Sequence, residues 1–186
     1  MKFTDLTTTV AFFASGGLSQ SCPSNPPNHG GSSKAPSLPA MCKTANPVCT
    51  SYQEKLYHMK MYYNRKNGTT PEQFNRYWAY EHGKRTQPFH LRMGIINYRQ
   101  YHSTPDIRDV GRVDGAPPIL EYDGSSEYWA RDVQTFKNML EDEEYQTKIA
   151  PDEANFLDPQ SVRMIIGVDY IVVENQNAVT EHGRTF

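Results

Sequence analysis

The segment from Leu56 to Gln73 constrains the fold most, because a strand pattern and a helix start lie within a few residues of each other. Tyr57, Met59, Met61 and Tyr63 alternate with other residues and share one face, which is typical of a half-buried strand. A turn at residues 66–68 ends the strand. Thr70 is suited to be the N-cap, Pro71 the first helical residue and Gln73 the partner in a capping box. The folded part of the chain therefore begins with a β-α unit.

The remaining elements follow from the same kind of pattern. A helical stripe runs from Phe74 to His82 and faces the sheet, and Gly94 closes the helical region. We predict further strands at 95–102, 119–129 and 162–173. The strand at 119–129 is interrupted at Asp123-Gly124, which indicates a bulge or a close backbone approach. Asp132 is suited to cap a helix before the last strand. The order β-α-β, long polar loop at 103–118, β-α-β predicts an α+β, ferredoxin-like β-α-β-β-α-β fold.

The predicted strands carry apolar or aromatic residues on both faces. Helices can cover only one face of such a sheet, and the other face must also be covered. A second copy of the chain is the simplest cover. We therefore expect a homodimer through the sheet face opposite the helices.

The first 50 residues differ in composition from the rest. They hold six of the 13 prolines, four charged residues and none of the 12 tyrosines. We predict a disordered Pro/Ser-rich extension over 1–50 that is dispensable for folding. Residues 1–20 resemble a weak secretory signal, but Asp5 and three threonines shorten its apolar core. The three cysteines, Cys22, Cys42 and Cys49, all lie in this extension. We expect a cytoplasmic protein.

Charge and missing motifs exclude several classes of function. A formal net charge of −2 argues against nucleic acid and anionic membrane surfaces as partners. No H-E-x-x-H, P-loop, G-x-G-x-x-G or G-x-S-x-G motif occurs, and the cysteines all precede residue 51. We therefore expect no metal and no cofactor. Acid–base chemistry in a pocket lined by aromatic residues remains.

Several motifs resemble a known family. The run from Tyr63 to Phe74, then Tyr77-Trp78 and His82-Gly83, is similar to the opening of EthD-type domains of the dimeric α+β barrel superfamily. Residues 98–102, 121–124 and 150–153 resemble a fungal subgroup, the TpcK family of aromatic polyketide decarboxylases. The resemblance implies an EthD-type domain over 51–175, followed by a C-terminal tail at 176–186. It implies a dimeric α+β barrel as the assembly.

The candidate catalytic residues are His82, His102, Tyr98 and Asp123. His82 lies on the helix stripe that faces the sheet, and His102 and Tyr98 share one face of the second strand, so we expect the three to meet. A histidine can move a proton near neutral pH, and Asp123 could orient one of them. Each can also be a structural residue: a core histidine, a core tyrosine or a turn carboxylate. His58 and His90 are weaker candidates, expected to be solvated or at an interface.

Trp78, Trp129 and Tyr63 are the candidate substrate-binding residues. Flat aromatic side chains suit a flat aromatic ligand, although core packing explains such residues equally well.

The resemblance implies a cofactor-free decarboxylase, a lyase, that acts on an anthrone- or anthraquinone-type carboxylic acid in fungal-type secondary metabolism. Such a substrate already contains a group that accepts the electron pair left when CO2 departs. The enzyme therefore needs only to orient the substrate and supply a proton. Two alternatives stay open. One is a cyclase, dehydratase or cofactor-free oxygenase on a related substrate, and the other is a non-catalytic barrel that binds aromatic metabolites.

Overall fold

The computed structural model describes residues 52–186. The predicted extension, the weak signal and the three cysteines lie outside these residues. Four antiparallel strands form one sheet in the order β2-β3-β1-β4. Their bounds are β1, Tyr57–Tyr63; β2, Asn97–His102; β3, Gly124–Ala130; and β4, Arg163–Val168.

One continuous helical region joins β1 to β2. It consists of α1 (Pro71–Tyr77), a π-helical turn (Trp78–His82) and α2 (Gly83–Arg92). The capping box is confirmed, because the Thr70 hydroxyl accepts a hydrogen bond from the Gln73 amide and the Gln73 side chain accepts one from the Thr70 amide. Gly94 follows the helix with a φ of +78°, which is the left-handed conformation that closes many helices.

The second half of the fold has shorter helices. A loop between β2 and β3 contains α3 (Pro105–Asp109), and β3 leads into α4 (Gln134–Glu141). A second π-helical turn (Tyr145–Ile149), α5 (Ala150–Glu153) and a 3-10 turn (Pro159–Ser161) then lead to β4. The strand order and the connections confirm the predicted ferredoxin-like α+β fold.

The core lies between the helices and one face of the sheet. Its buried side chains form two clusters: Met59, Phe89, Ile95, Tyr128, Ala130, Phe136, Met139 and Ile149 in one, and Tyr63, Phe74, Trp78, Phe156 and Leu157 in the other. The alternation predicted for β1 is confirmed, since Met59 and Tyr63 are both buried on this face.

Two strand predictions are wrong in part. Residues 119–123 were expected to belong to the third strand, but β3 begins at Gly124. Residues 169–173 were expected to continue the last strand, but β4 ends at Val168. Asp169, the residue after β4, accepts hydrogen bonds through its carboxylate from the Trp129 indole at 2.6 Å and from His58 Nδ1 at 2.8 Å.

The C-terminal residues form a small hairpin of their own. Strands β5 (Val173–Glu174) and β6 (Asn177–Ala178) pair across Asn175 and Gln176, which both have positive φ, as a tight two-residue turn requires. Beyond it, the Arg184 guanidinium donates hydrogen bonds to the carbonyl of Glu54 at 2.6 and 2.9 Å.

Candidate active site

A cavity of about 220 Å³ lies between the helices and the sheet. The sheet contributes its floor and the two π-helical turns and α5 contribute its walls. The residues that line it are Met61, Tyr63, Trp78, His82, Ser126, Tyr128, Tyr145, Ala150, Glu153, Phe156, Leu157, Pro159 and Val162. Polar and titratable groups thus converge in an otherwise apolar enclosure, which is the usual form of a small-molecule site.

Both π-helical turns place side chains in this cavity. The first contains Trp78 and His82, and the second begins at Tyr145. A π turn has more residues per turn than an α-helix, so residues four apart stay in line along one face. The buried residues Phe74, Trp78, His82, Thr86 and His90 follow this four-residue spacing.

His82 and Asp152 form a buried pair at the cavity wall. His82 Nδ1 lies 2.8 Å from Asp152 Oδ2, and the same carboxylate accepts hydrogen bonds from the Tyr77 hydroxyl at 2.7 Å and from Arg85. Burial alone would raise the pKa of Asp152, but the hydrogen bonds from His82 and Tyr77 and the charge of Arg85 together lower it. The carboxylate is therefore ionised, and His82 Nδ1 must be the donor. Nε2 is then the nitrogen that can accept a proton.

The pKa of His82 is itself lowered. Burial, which disfavours the imidazolium, outweighs the hydrogen bond and the charge of Asp152. His82 is consequently neutral at pH 7, and its Nε2 can act as a base.

Glu153 is the second titratable group of the cavity. Burial raises its pKa to about 7, and the charge of neighbouring Asp152 adds to the effect, while a hydrogen bond from the Tyr145 hydroxyl at 3.1 Å opposes it. A carboxyl group with this pKa can donate or accept a proton near neutrality. His82 and Glu153 thus form a base and an acid that face one enclosure.

Three tyrosines add hydroxyl groups to the cavity. The Tyr63 hydroxyl is hydrogen-bonded to Ser126, and Tyr128 and Tyr145 lie nearby on the lining. Burial raises the pKa of all three phenols, so they remain protonated. Tyr145 already donates its proton to Glu153, whereas the hydroxyls of Tyr63 and Tyr128 can donate to a ligand oxygen.

The structure brings together three of the residues predicted from sequence. His82, Trp78 and Tyr63 all line the cavity, and the rings of Tyr63 and Trp78 meet edge to face with centroids 5.2 Å apart.

Of His82, Tyr98 and His102, which were expected to meet, only His82 lines this cavity. The Tyr98 ring packs on Tyr128 with centroids 5.0 Å apart, and its hydroxyl accepts a hydrogen bond from Gln100 and lies beside Ser126 and Trp78, which do line the cavity. His102 packs against Trp78 at 4.5 Å, and its Nδ1 lies 2.5 Å from the side-chain oxygen of Asn75. Gln100, which lies between Tyr98 and His102 on the same strand face, hydrogen-bonds to both side chains and donates to the Trp78 carbonyl.

The expected contact between Asp123 and a histidine is also wrong. Asp123 pairs with Arg65, accepting hydrogen bonds from its guanidinium and, at 2.9 Å, from its backbone amide. Trp129 lies on the opposite face of the sheet, where its ring stacks on His58 with centroids 3.9 Å apart, so it is not a wall of this cavity. His58 and His90, expected to be solvated or at an interface, are both buried.

Sequence reasoning missed Asp152, Glu153 and Tyr145 as site residues. The segment 150–153 was noted only for its resemblance to a fungal subgroup. Two adjacent carboxylates directly after the apolar run Ile149-Ala150-Pro151 were the available signal, because a buried helix end rarely carries acids without a partner.

Residues 52–186, which the structure describes, contain neither a candidate metal site nor a candidate membrane span. No group of three or more His, Cys, Asp or Glu side chains is arranged to hold a metal ion. None of the helices in this part of the chain is long and apolar enough to cross a bilayer.

The fold defines an α+β protein with a cavity between helices and sheet as its candidate small-molecule site. The chain belongs to the EthD domain family, whose profile matches residues 66–160. The resemblance seen in the sequence is thereby confirmed at the level of the family.

Two curated fungal proteins are similar to this chain. "Dehydratase aurZ" of Gibberella zeae is 24% identical over 106 residues, which cover 55% of this chain and 70% of that protein. "Putative oxygenase" of Aspergillus terreus is 29% identical over 97 residues, which cover 50% of this chain and 61% of that protein. Among solved structures, an EthD family protein of Bacillus halodurans matches with a TM-score of 0.42 and 12% identity, covering 62% of this chain and 99% of that one.

Proposed function

We propose that this protein is a cofactor-free lyase that dehydrates an aromatic polyketide through acid–base chemistry in the helix–sheet cavity. The observation that carries the proposal is the pairing of a neutral His82, held by Asp152, with a Glu153 whose pKa is about 7. An elimination of water requires one group that removes a proton from carbon and another that protonates the leaving oxygen. The name of the dehydratase in Gibberella zeae supports the same reaction class.

Each group has one role in this reaction. Nε2 of His82 removes the proton from the carbon next to a substrate carbonyl, and Asp152 stabilises the imidazolium that forms. The carbon–carbon double bond forms as the carbon–oxygen bond breaks. Glu153 transfers its proton to the departing hydroxyl group, which leaves as water. The cycle closes when His82 returns a proton to solvent and Glu153 takes one up.

The buried phenols stabilise the intermediate state. Removal of the α-proton places negative charge on the carbonyl oxygen of the substrate. Tyr63 and Tyr128 line the floor of the cavity as protonated donors, and such preorganised donors stabilise a developing oxyanion better than water does.

Decarboxylation is the second candidate, and the near-neutral pKa of Glu153 favours it. In that reaction the bond to the carboxyl carbon breaks, CO2 leaves, and Glu153 protonates the ring carbon. The cavity lining, however, includes no Lys or Arg among the described residues to bind a substrate carboxylate, and it already contains Glu153. A neutral substrate therefore suits this cavity better than an anionic one.

The cavity volume limits how the substrate binds. A volume of 220 Å³ is below the range of about 300–1,000 Å³ that is usual for drug-sized ligands. Val162, a half-buried lining residue, directly precedes β4, whose Met164 pairs with Met61 and lies on the same sheet face. We propose that the reacting ring enters the cavity and that the rest of a polycyclic substrate lies along this edge.

The test is turnover of a panel of aromatic polyketides that carry a hydroxyl group β to a carbonyl, together with their carboxylic acid analogues. Mass spectrometry distinguishes loss of water from loss of CO2. We expect His82→Gln and Glu153→Gln to lower kcat by about 10²–10⁴-fold with a smaller effect on KM, because each removes a proton-transfer group. Asp152→Asn should also lower kcat, since it removes the charge that stabilises the imidazolium.

His182→Gln is the matched control, because His182 pairs with Glu54 in the C-terminal part of the chain, lines neither this cavity nor the one under the β2–β3 loop, and its replacement should leave turnover unchanged. Full activity of folded His82→Gln and Glu153→Gln would exclude the assignment. Binding of the panel without any product would identify a non-catalytic binding protein.

A further inference from the structure

A second cavity, of about 430 Å³, lies on the other side of the sheet, under the loop that joins β2 to β3. Its floor is a row of three cross-strand neighbours, Tyr62, Ser125 and Tyr101, on the face that the helices do not cover. The loop contributes the opposite wall. The lining residues are Tyr62, Tyr101, His102, Ser103, Ile107, Arg108, Gly111, Ile119, Leu120, Tyr122, Gly124 and Ser125.

This cavity is separate from the candidate active site. The two share no lining residue, although Gly124, which lines the second cavity, lies directly against the ring of Trp78, which lines the first. Its volume is within the usual range for small-molecule sites.

The walls are aromatic and aliphatic, and many of these side chains remain exposed. The rings of Tyr62 and Tyr122 lie 5.6 Å apart, centroid to centroid. Tyr101, Ile107 and Leu120 each leave more than half of their surface exposed, which is unusual for three large apolar side chains around one concavity. Tyr101 lies on the sheet face where a second copy of the chain is expected, so its exposure in the single chain does not by itself mark a ligand site; the concavity and its arginine carry that assignment. Three tyrosine rings suit a planar ligand.

One cation lines the cavity. Among the described residues that line this cavity, Arg108 is the only Lys or Arg. Its Nη1 lies 3.5 Å from Glu121, whose other oxygen binds Arg112 at 2.6 Å. Its Nε–H is buried, makes no hydrogen bond with any described residue, and lies 4.0 Å from the nearest carboxylate oxygen of Asp109. A buried donor without a partner is costly, and a carboxylate can bind an arginine through two nitrogens at once.

We propose that this loop cavity is a second ligand site, which binds a planar aromatic carboxylate through Arg108 and the tyrosine walls. The aromatic part lies on the floor of Tyr62 and Tyr101, and the carboxylate displaces the long contact with Glu121 to bind the guanidinium. The site does not depend on the reaction assigned to His82, because ligand binding here requires no proton transfer and no group of the helix–sheet cavity.

The test is calorimetric titration of the full chain with naphthoate, and with naphthamide as a neutral molecule of the same shape. The wild type should bind naphthoate at least about tenfold more tightly than naphthamide, since only the former is charged. Arg108→Gln should abolish this difference. Arg112→Gln is the matched control: Arg112 lies on the same loop and pairs with the same Glu121, but it does not line the cavity, so the difference should persist.

Two further variants locate the bound ligand. Tyr122→Ala, which removes one aromatic wall without changing charge, should weaken binding of both probes. His82→Gln should leave both affinities unchanged, because it alters the other cavity. Melting curves check that each variant is folded. Equal affinity of the wild type for both probes, unchanged preference in Arg108→Gln, or loss of binding in His82→Gln would overturn the proposal.

Discussion

Adjacent residues in this protein have opposite electrostatic environments. Asp152 accepts three hydrogen bonds from cationic or polar partners, and its pKa is lowered. Glu153, the next residue, has one hydrogen bond from Tyr145 and is desolvated, and its pKa rises to about 7. Two carboxylates one residue apart can therefore have different roles, one as a fixed anion and the other as a proton donor.

The raised pKa of Glu153 predicts a pH-dependent contribution to stability. The folded state holds the Glu153 proton up to about pH 7, whereas the unfolded chain releases it near its ordinary value of 4.5. Between these values the folded state binds more protons, so the stabilisation from Glu153 is complete below pH 4.5 and is lost as pH rises through 7. Glu153→Gln, which stays neutral, should therefore be more stable relative to wild type at about pH 8 than at about pH 4.5.

Thermal unfolding of both proteins at the two pH values measures this difference. The control is Glu143→Gln. Glu143 is exposed, so this variant should show no such change. A constant difference in Tm between wild type and Glu153→Gln across this range would contradict the shifted pKa.

At the scale of elements, the two π-helical turns and the start of β3 determine the shape of the candidate active site. The first turn keeps Trp78 and His82 in line on the sheet side, and the second places Tyr145 beside Glu153. Gly124 opens β3 where the Trp78 ring reaches the sheet. A Cβ at this position would lie 2.6 Å from the Trp78 ring and 2.8 Å from the Tyr101 carbonyl oxygen. The close backbone approach predicted at Asp123-Gly124 is confirmed.

Gly124→Ala should accordingly destabilise the protein. The added methyl group meets a backbone oxygen that cannot move without disturbing the β2–β3 pairing, so we expect a loss of about 1–3 kcal/mol in the free energy of unfolding. Gly167→Ala on β4 is the matched control, because a Cβ there meets no atom within 4 Å. Urea denaturation of the two variants and the wild type measures the effect. Equal stability of the two variants would show that the Trp78 contact is easily relaxed.

For the whole molecule, the edge of the sheet at β4 exposes a row of apolar side chains. Strand β4 pairs only with β1 among the described strands. Its residues Met164, Ile165 and Ile166 are 46%, 58% and 45% exposed, on both faces of the sheet. An unpaired edge strand with exposed apolar side chains requires a cover, and we propose that a second copy of the chain provides it.

Light scattering at micromolar concentration should therefore give about twice the chain mass of 21.3 kDa. Ile165→Lys should produce monomers, because it places a charge on the face opposite the helices, where the dimer is expected. Val173→Lys, on the equally exposed β5 of the C-terminal hairpin, is the control and should leave the mass unchanged. A wild-type protein that is folded and monomeric would exclude the homodimer.

Local sequence patterns were enough to predict the order of the main strands and helices and many of the side chains that face the core. Alternation along β1, the capping box at Thr70 and Gly94 after the helix are local signals, because each depends on residues a few positions apart. The same signals identified His82, Trp78 and Tyr63 as residues on the inner side of the fold.

The contacts between these side chains, by contrast, depend on the tertiary fold. Asp152 is 70 residues from His82 in the chain, and no pattern near His82 indicates its partner. Asp123 was expected to orient a histidine, but folding brings it to Arg65, 58 residues away. Side-chain partners and pKa values depend on long-range distances and on burial, which arise when the helices close on the sheet, whereas strand and helix signals are written in neighbouring residues.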